Sequence, residues 1–122
     1  AAQQTLAGMG AALGDGARAW QALARTLGGR AMQDLEEVGA AAVDFLLYSG
    51  YLTLAYCWGR IALKASAALE EGTEDARFLE GKLATARFYF ARLLPRAEAH
   101  RSAVEAGAQT LMGASAESFG PW

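Results

Sequence analysis

An all-α bundle is the fold this sequence predicts, and three observations carry that reading. Only two prolines interrupt 122 residues. Apolar residues recur at spacings of three and four in every long segment, whereas the strict alternation of a half-buried strand is missing. Hydrophobic residues make up 53% and charged residues 20%, enough apolar material to bury a core and to argue against disorder. The expectation is an up-down bundle of three long helices, the third kinked near Pro95 so that it counts as four, with residues 1–122 forming one domain.

The first helix is read from a stripe of Leu6, Met9, Leu13, Ala17, Trp20, Ala24 and Leu27. Gly28-Gly29 supplies its expected stop, and Asp15-Gly16 is a place where it could bend or split. The second helix should run from about Met32 to Leu69. It opens polar and becomes apolar on all sides from Phe45 to Leu63, which predicts a central helix covered by several neighbours. Ser49, Gly50 and Gly59 would let those neighbours approach closely. Glu70-Glu71-Gly72 should end this helix, and Thr73 or Glu74-Asp75 should open the next. The third carries Leu79, Leu83, Ala86, Phe90 and Leu93. Its register continues beyond Pro95 through Ala97, His100, Val104, Gly107 and Leu111, so a kinked helix reaching about Gln109 is expected. Gly113 to Trp122 reads as an irregular tail.

Charge and cysteine content exclude some functions. The net charge is −2 and the 11 Lys and Arg residues are scattered, so no concentrated basic face for nucleic acid is expected. The single Cys57 fits a reducing, cytoplasmic setting and leaves no internal disulfide. No basic segment followed by an apolar core marks a signal peptide at the N-terminus. The uncharged run from Phe45 to Gly59 would reach about 22 Å as a helix, short of a roughly 30 Å bilayer core, so no membrane span is expected.

Candidate chemistry is sparse. Di-metal bundles place Glu-x-x-His pairs in their cores, but His100 is the only histidine and position 97 is alanine. One Cys and one His cannot complete a zinc shell. His100, on an apolar stripe, is read as structural with a hydrogen-bond partner. Cys57, inside Leu54-Ala55-Tyr56-Cys57-Trp58, is read as a packed and inert thiol. Gly8-Met9-Gly10 and Gly28-Gly29-Arg30 lack the strand-turn-helix context of a phosphate loop. Glu36-Glu37 and Glu70-Glu71 are expected to face solvent. Nine rings (Phe45, Tyr48, Tyr51, Tyr56, Trp58, Phe78, Phe88, Tyr89 and Phe90) suit a three-helix core, or alternatively an apolar ligand pocket. Arg87 and Arg92 flank them and could meet a phosphate or an interface carboxylate, or simply water. Catalytic, cofactor-binding and metal-binding residues are all expected to be none.

Three stretches resemble one family. Lys82-Leu83-Ala84-Thr85-Ala86-Arg87-Phe88-Tyr89-Phe90-Ala91-Arg92-Leu93-Leu94-Pro95 is similar to a segment of the helical domain at the C-terminus of a branch of large acyl-CoA dehydrogenases. Asp44 to Ala62, with its acid-aromatic start, Gly50 and Trp58-Gly59-Arg60, resembles that domain's central helix. Glu105 to Met112, with Phe119 further on, resembles its closing segment, although Gly113-Ala114-Ser115 stands where the family often has a proline. The resemblance implies a parent enzyme that uses FAD to oxidise an acyl-CoA to the 2,3-enoyl-CoA, on fatty-acyl or short modified acyl groups such as methylthiopropionyl-CoA. It places the catalytic glutamate and the flavin contacts in earlier domains and carries no catalytic residue onto this chain. The start at Ala1-Ala2-Gln3-Gln4, without methionine, is what a piece of a longer polypeptide would show.

The partners so implied are the catalytic domains of the same polypeptide, a second subunit of a homo-oligomer, and the parent's acyl-CoA substrate. Arg87, Phe88, Arg92, Leu111, Met112, Phe119 and Trp122 are the expected interface, because apolar groups on an irregular tail cannot be buried by that tail alone. The alternative is a free-standing helical module that holds an apolar ligand or a partner helix.

Overall fold

The computed structural model describes residues 2–121. It has five α-helices: α1 (Ala2–Ala31), α2 (Glu36–Glu71), α3 (Ala76–Phe88), α4 (Ala97–Glu105) and the short α5 (Gln109–Met112). A π turn (Tyr89–Leu93) and a 3-10 turn (Leu94–Arg96) join α3 to α4 without a loop, so the two act as one kinked helix. The all-α bundle is therefore what the chain builds, with no strand among the described residues.

Antiparallel pairing organises the bundle around α2. Along α1, Trp20, Gly16 and Leu13 meet Ser49, Leu52 and Gly59 in turn, so the two helices run in opposite directions. On α2's other flank, Asp44 meets His100 and Tyr51 meets Tyr89, which makes α3–α4 antiparallel to α2 as well. One core cluster gathers Leu23, Ala41, Tyr48, Ala97 and Val104, and a second gathers Met9, Ala62 and Ala86. Buried alanines at Ala41, Ala55, Ala62 and Ala86 keep the helices close, because a methyl group adds little standoff.

Several boundaries differ from expectation for identifiable reasons. α1 runs straight through Asp15-Gly16 and through Gly28-Gly29 to Ala31. None of these glycines takes the left-handed conformation, which among the described residues occurs only at Gly72, Gly107 and Gly120. Helix is favoured at the C-terminal end of α1 because Leu27 packs against the first core cluster and Arg30 reaches across to α4. α2 begins at Glu36, not Met32. The Asp34 carboxylate accepts the Glu36 N–H at 3.0 Å, and Glu36 and Glu37 place negative charge on the first turn. Gly72, at φ 83°, ends α2 as its sequence suggests, and α3 opens after Asp75.

Pro95 acts upstream of itself. It has no N–H, and its ring crowds the carbonyl four residues back. The chain widens into the π turn just before it, where the Leu94 N–H bonds to the Tyr89 carbonyl. Tyr89, where the turn opens, lies three residues past buried Ala86 on the same face and packs beside Phe90; it is buried, and its hydroxyl donates to the Tyr51 carbonyl at 2.6 Å. Past the kink, Ala97 and Val104 are buried as expected. α4 then stops at Glu105, short of Gln109. Gly107 turns left-handed at φ 80°, Arg30 donates to the Val104 and Glu105 carbonyls, and Glu37 accepts the Ala108 N–H at 3.1 Å. Glu37 thus has a structural partner and does not simply face solvent.

The largest departure is α2 itself. Its inner side packs on α1 and α3–α4, but its outer side is open: Val43, Leu46, Leu47, Leu54 and Ile61 are all exposed. Within this chain the central helix is covered on one side only. By length and composition alone α2 could also cross a membrane, a description that an apolar core helix shares.

Gly59 tests the closeness of α1 and α2. A Cβ there would lie 2.8 Å from Leu13 Cδ1 and 3.9 Å from Phe90 Cζ. The Leu13 methyl can rotate away and alanine gains about 1 kcal/mol of helix propensity, so Gly59→Ala should shift stability by less than about 1 kcal/mol. Gly59→Leu overfills the same space and should cost about 1–3 kcal/mol in urea unfolding.

Candidate docking surface and internal polar contacts

The polar side chains inside the bundle serve packing. Trp20 Nε1 donates to Ser49 Oγ at 2.7 Å, and that hydroxyl donates onward to the Phe45 carbonyl at 2.8 Å. The Trp20 and Phe45 rings lie 5.7 Å apart beside them. His100 has the partner the sequence called for: its Nδ1 lies 2.8 Å from Asp44 Oδ1, and its ring stacks on Tyr51 at 5.8 Å. Both side chains are partly exposed. These contacts pin α2 to each flanking helix with hydrogen bonds of about 1 kcal/mol each.

Two tyrosines are held in their neutral form. Burial pushes the Tyr89 phenol up to about 12, and negative charge at Tyr51 or Cys57 would add to the effect. Burial also raises Tyr48, against the opposing pull of the Arg101 guanidinium. On the surface of α4, Arg101 bridges Glu98 and Glu105, and its hydrogen bond to Glu98 holds that carboxyl below its usual value.

The expected interface residues separate into two groups. Arg87 and Phe88, at the end of α3, are exposed, as is Arg92 in the π turn. Arg87 borders a shallow hollow of about 440 Å³ with Thr5, Met9 and Phe90. Leu111 and Met112 are exposed on α5, next to the start of α2, and Phe119 is exposed on the tail's 3-10 turn. The hollow's α1 wall ends at Ala12 and Arg30 marks the end of the bundle near α5, so about 27 Å of α1 separates Arg87 from Leu111 and Met112. Trp122 lies outside the described residues.

Other expectations need correction. Cys57 is exposed, not packed, because it lies on the outer side of α2. Of the nine rings, Tyr48 and Tyr89 are buried and Phe45, Tyr51, Trp58 and Phe90 partly so, but Tyr56, Phe78 and Phe88 are exposed. Arg60 lies over Tyr56, and Lys82 lies 4.9 Å from the centre of the Phe78 ring, so two of these outer rings serve as platforms for cations. A cleft of about 380 Å³ between α1 and α2 is walled by Leu13, Trp20, Leu52 and Tyr56. Among the described residues no cluster of three or more His, Cys, Asp or Glu side chains could hold a metal ion. The sequence reading made α2 apolar on all sides but expected neighbours to cover it, and its outer face is uncovered within this chain. Its signal was a second apolar stripe at Val43, Leu47, Leu54 and Ile61, running beside the core stripe of Ala41, Tyr48, Ala55 and Ala62.

Residues 1–115 match the family described as acetyl-CoA dehydrogenase C-terminal like. Over 83 residues, 68% of the chain, the sequence is 35% identical to the 3-methylmercaptopropionyl-CoA dehydrogenase of Ruegeria pomeroyi. The matched part is 14% of that relative's length, so the chain spans only a small share of it.

The raised Tyr89 value sets an alkaline limit. A phenol whose value rises on folding contributes stability that is whole below pH 10, the unfolded value, and is lost between about pH 10 and 12. Tyr89→Phe should cost about 1 kcal/mol at pH 8 through the lost hydrogen bond and should flatten that alkaline decline, as read from urea midpoints across pH.

Proposed function

Since this chain belongs to the acetyl-CoA dehydrogenase C-terminal-like family, we propose that it is the non-catalytic C-terminal domain of a longer FAD-dependent acyl-CoA dehydrogenase. The family match across residues 1–115 carries this reading. The parent converts an acyl-CoA to the 2,3-enoyl-CoA in the cytoplasm, with the flavin, the catalytic glutamate and most of the thioester site in domains before this one. The bundle packs on the catalytic body or on the partner subunit and helps to shape the acyl-CoA entrance. Leu111 and Met112, exposed on α5, and Phe119, exposed on the tail, supply apolar contacts of the kind that become buried when such a domain docks. Arg87 and Arg92, exposed beside Phe88, supply charge for a carboxylate or phosphate across the contact.

A second reading, a module for an apolar ligand, has the Trp20–Leu52 cleft in its favour. That cleft is open and shallow, whereas ligand sites usually enclose most of their ligand. The family reading takes precedence.

The polypeptide purified from its natural source should be several times longer than 122 residues and yellow, with flavin absorbance that bleaches on addition of an acyl-CoA. A colourless chain of about this length would overturn the reading.

A further inference from the structure

We infer that the hollow above Tyr48, between α1 and the kinked arm, is a binding site for a small alkylammonium ligand. Tyr48 is only 3% exposed, yet its hydroxyl forms no hydrogen bond with any described residue. Among the described residues no unpartnered side-chain polar atom is sealed from solvent, so this hydroxyl opens outward. It opens where a hollow of about 280 Å³ is walled by Asp15 of α1, Leu52 of α2, Leu94 and Pro95 of the kink, and Glu98 and Arg101 of α4. Besides burial, the charges of Arg101, Glu98 and Glu105 act on the phenol, which places its oxygen on that side. A buried hydroxyl in a folded protein nearly always has a partner, so one left unbonded at the floor of a hollow marks a place for one.

Charge and shape select the ligand class. Arg101 is bound by both Glu98 and Glu105, so two carboxylates face one guanidinium and the cluster keeps one negative charge. Asp15 is paired with Arg18 at 2.5 Å, and those two cancel. An anion would meet the excess carboxylate at close range, whereas a cation is drawn in. An ammonium group can donate to Tyr48 Oη and to a Glu98 oxygen, with its alkyl body against Leu52, Leu94 and Pro95. A single water could satisfy the hydroxyl but would gain nothing from those apolar walls. The Trp20–Leu52 cleft lacks this feature, because Trp20 and Ser49 are already bonded there. Since the hollow is open, the ligand is small and its affinity weak, on the order of 1 mM. The inference does not rest on the dehydrogenase reading and needs neither flavin nor a catalytic domain.

Titration of the full chain with butylammonium chloride at neutral pH, followed by NMR, tests it. Amide signals of Gly16, Tyr48 and Leu94 should shift saturably, and butanol or butyrate should leave them in place. Tyr48→Phe should weaken binding about tenfold through the lost charge-assisted hydrogen bond. The same variant should leave the urea midpoint of the ligand-free chain unchanged, because the hydroxyl it removes has no partner in the protein. Glu98→Gln, which removes the excess negative charge, should also weaken binding, whereas Tyr89→Phe should not. Equal binding of butanol, or ammonium binding that survives Tyr48→Phe intact, would overturn the proposal. So would the absence of any saturable shift, which would leave water alone in the hollow.

Discussion

The structure depends on how closely α2 is approached from its inner side. Ala41, Tyr48, Ala55 and Ala62, seven residues apart, form a line of buried positions, three of them alanine. Small side chains there let α1 and α3–α4 approach closely, and the larger residues of those helices fill the space left: Met9 and Leu23 from α1, Tyr89 and Val104 from the kinked arm. The polar contacts follow from that closeness. Trp20 can reach Ser49, and Tyr89 can reach the Tyr51 carbonyl, only because the backbones are near. A larger side chain at Ala55 or Ala62 would separate the helices and break both sets of contacts together.

Most of this was legible in the sequence, and the failures have physical causes. The helical class, the number of long segments, the kink at Pro95 and the cap at Gly72 followed from periodicity and from backbone limits on proline and glycine. Gly28-Gly29 misled because glycine permits a helix end without requiring one, and tertiary contacts at Leu27 and Arg30 kept α1 helical. Tyr89 was expected in the core as one of nine rings but left out of the α3 stripe, although it lies three residues past buried Ala86 and so on the same helix face. The exposed apolar residues of α5 and the tail could be read from their irregular setting. The outer face of α2 could not, because an apolar helix looks the same in sequence whether its coverage comes from its own chain or from another molecule.

That ambiguity bears on function. The chain belongs to a family of C-terminal domains and spans a seventh or so of the relative it matches, so its exposed surfaces need not all be surfaces of the finished protein. A bundle with apolar residues exposed along α2 and on α5 is better suited to assembly than to an isolated existence, since large apolar patches on soluble monomers mark interaction sites. Most of its internal polar groups are committed to one another, as the Trp20–Ser49 and His100–Asp44 contacts show. Its remaining resources are shape, an apolar outer face and the unbonded Tyr48 hydroxyl.

The alkylation rate of Cys57 tests this account most directly, because that thiol lies on the outer side of α2. In the dilute 122-residue chain it should react about as fast as a free thiol, and in the intact parent polypeptide it should be strongly protected. Equal protection in both would contradict the account, because the bundle itself would then cover the face described as open.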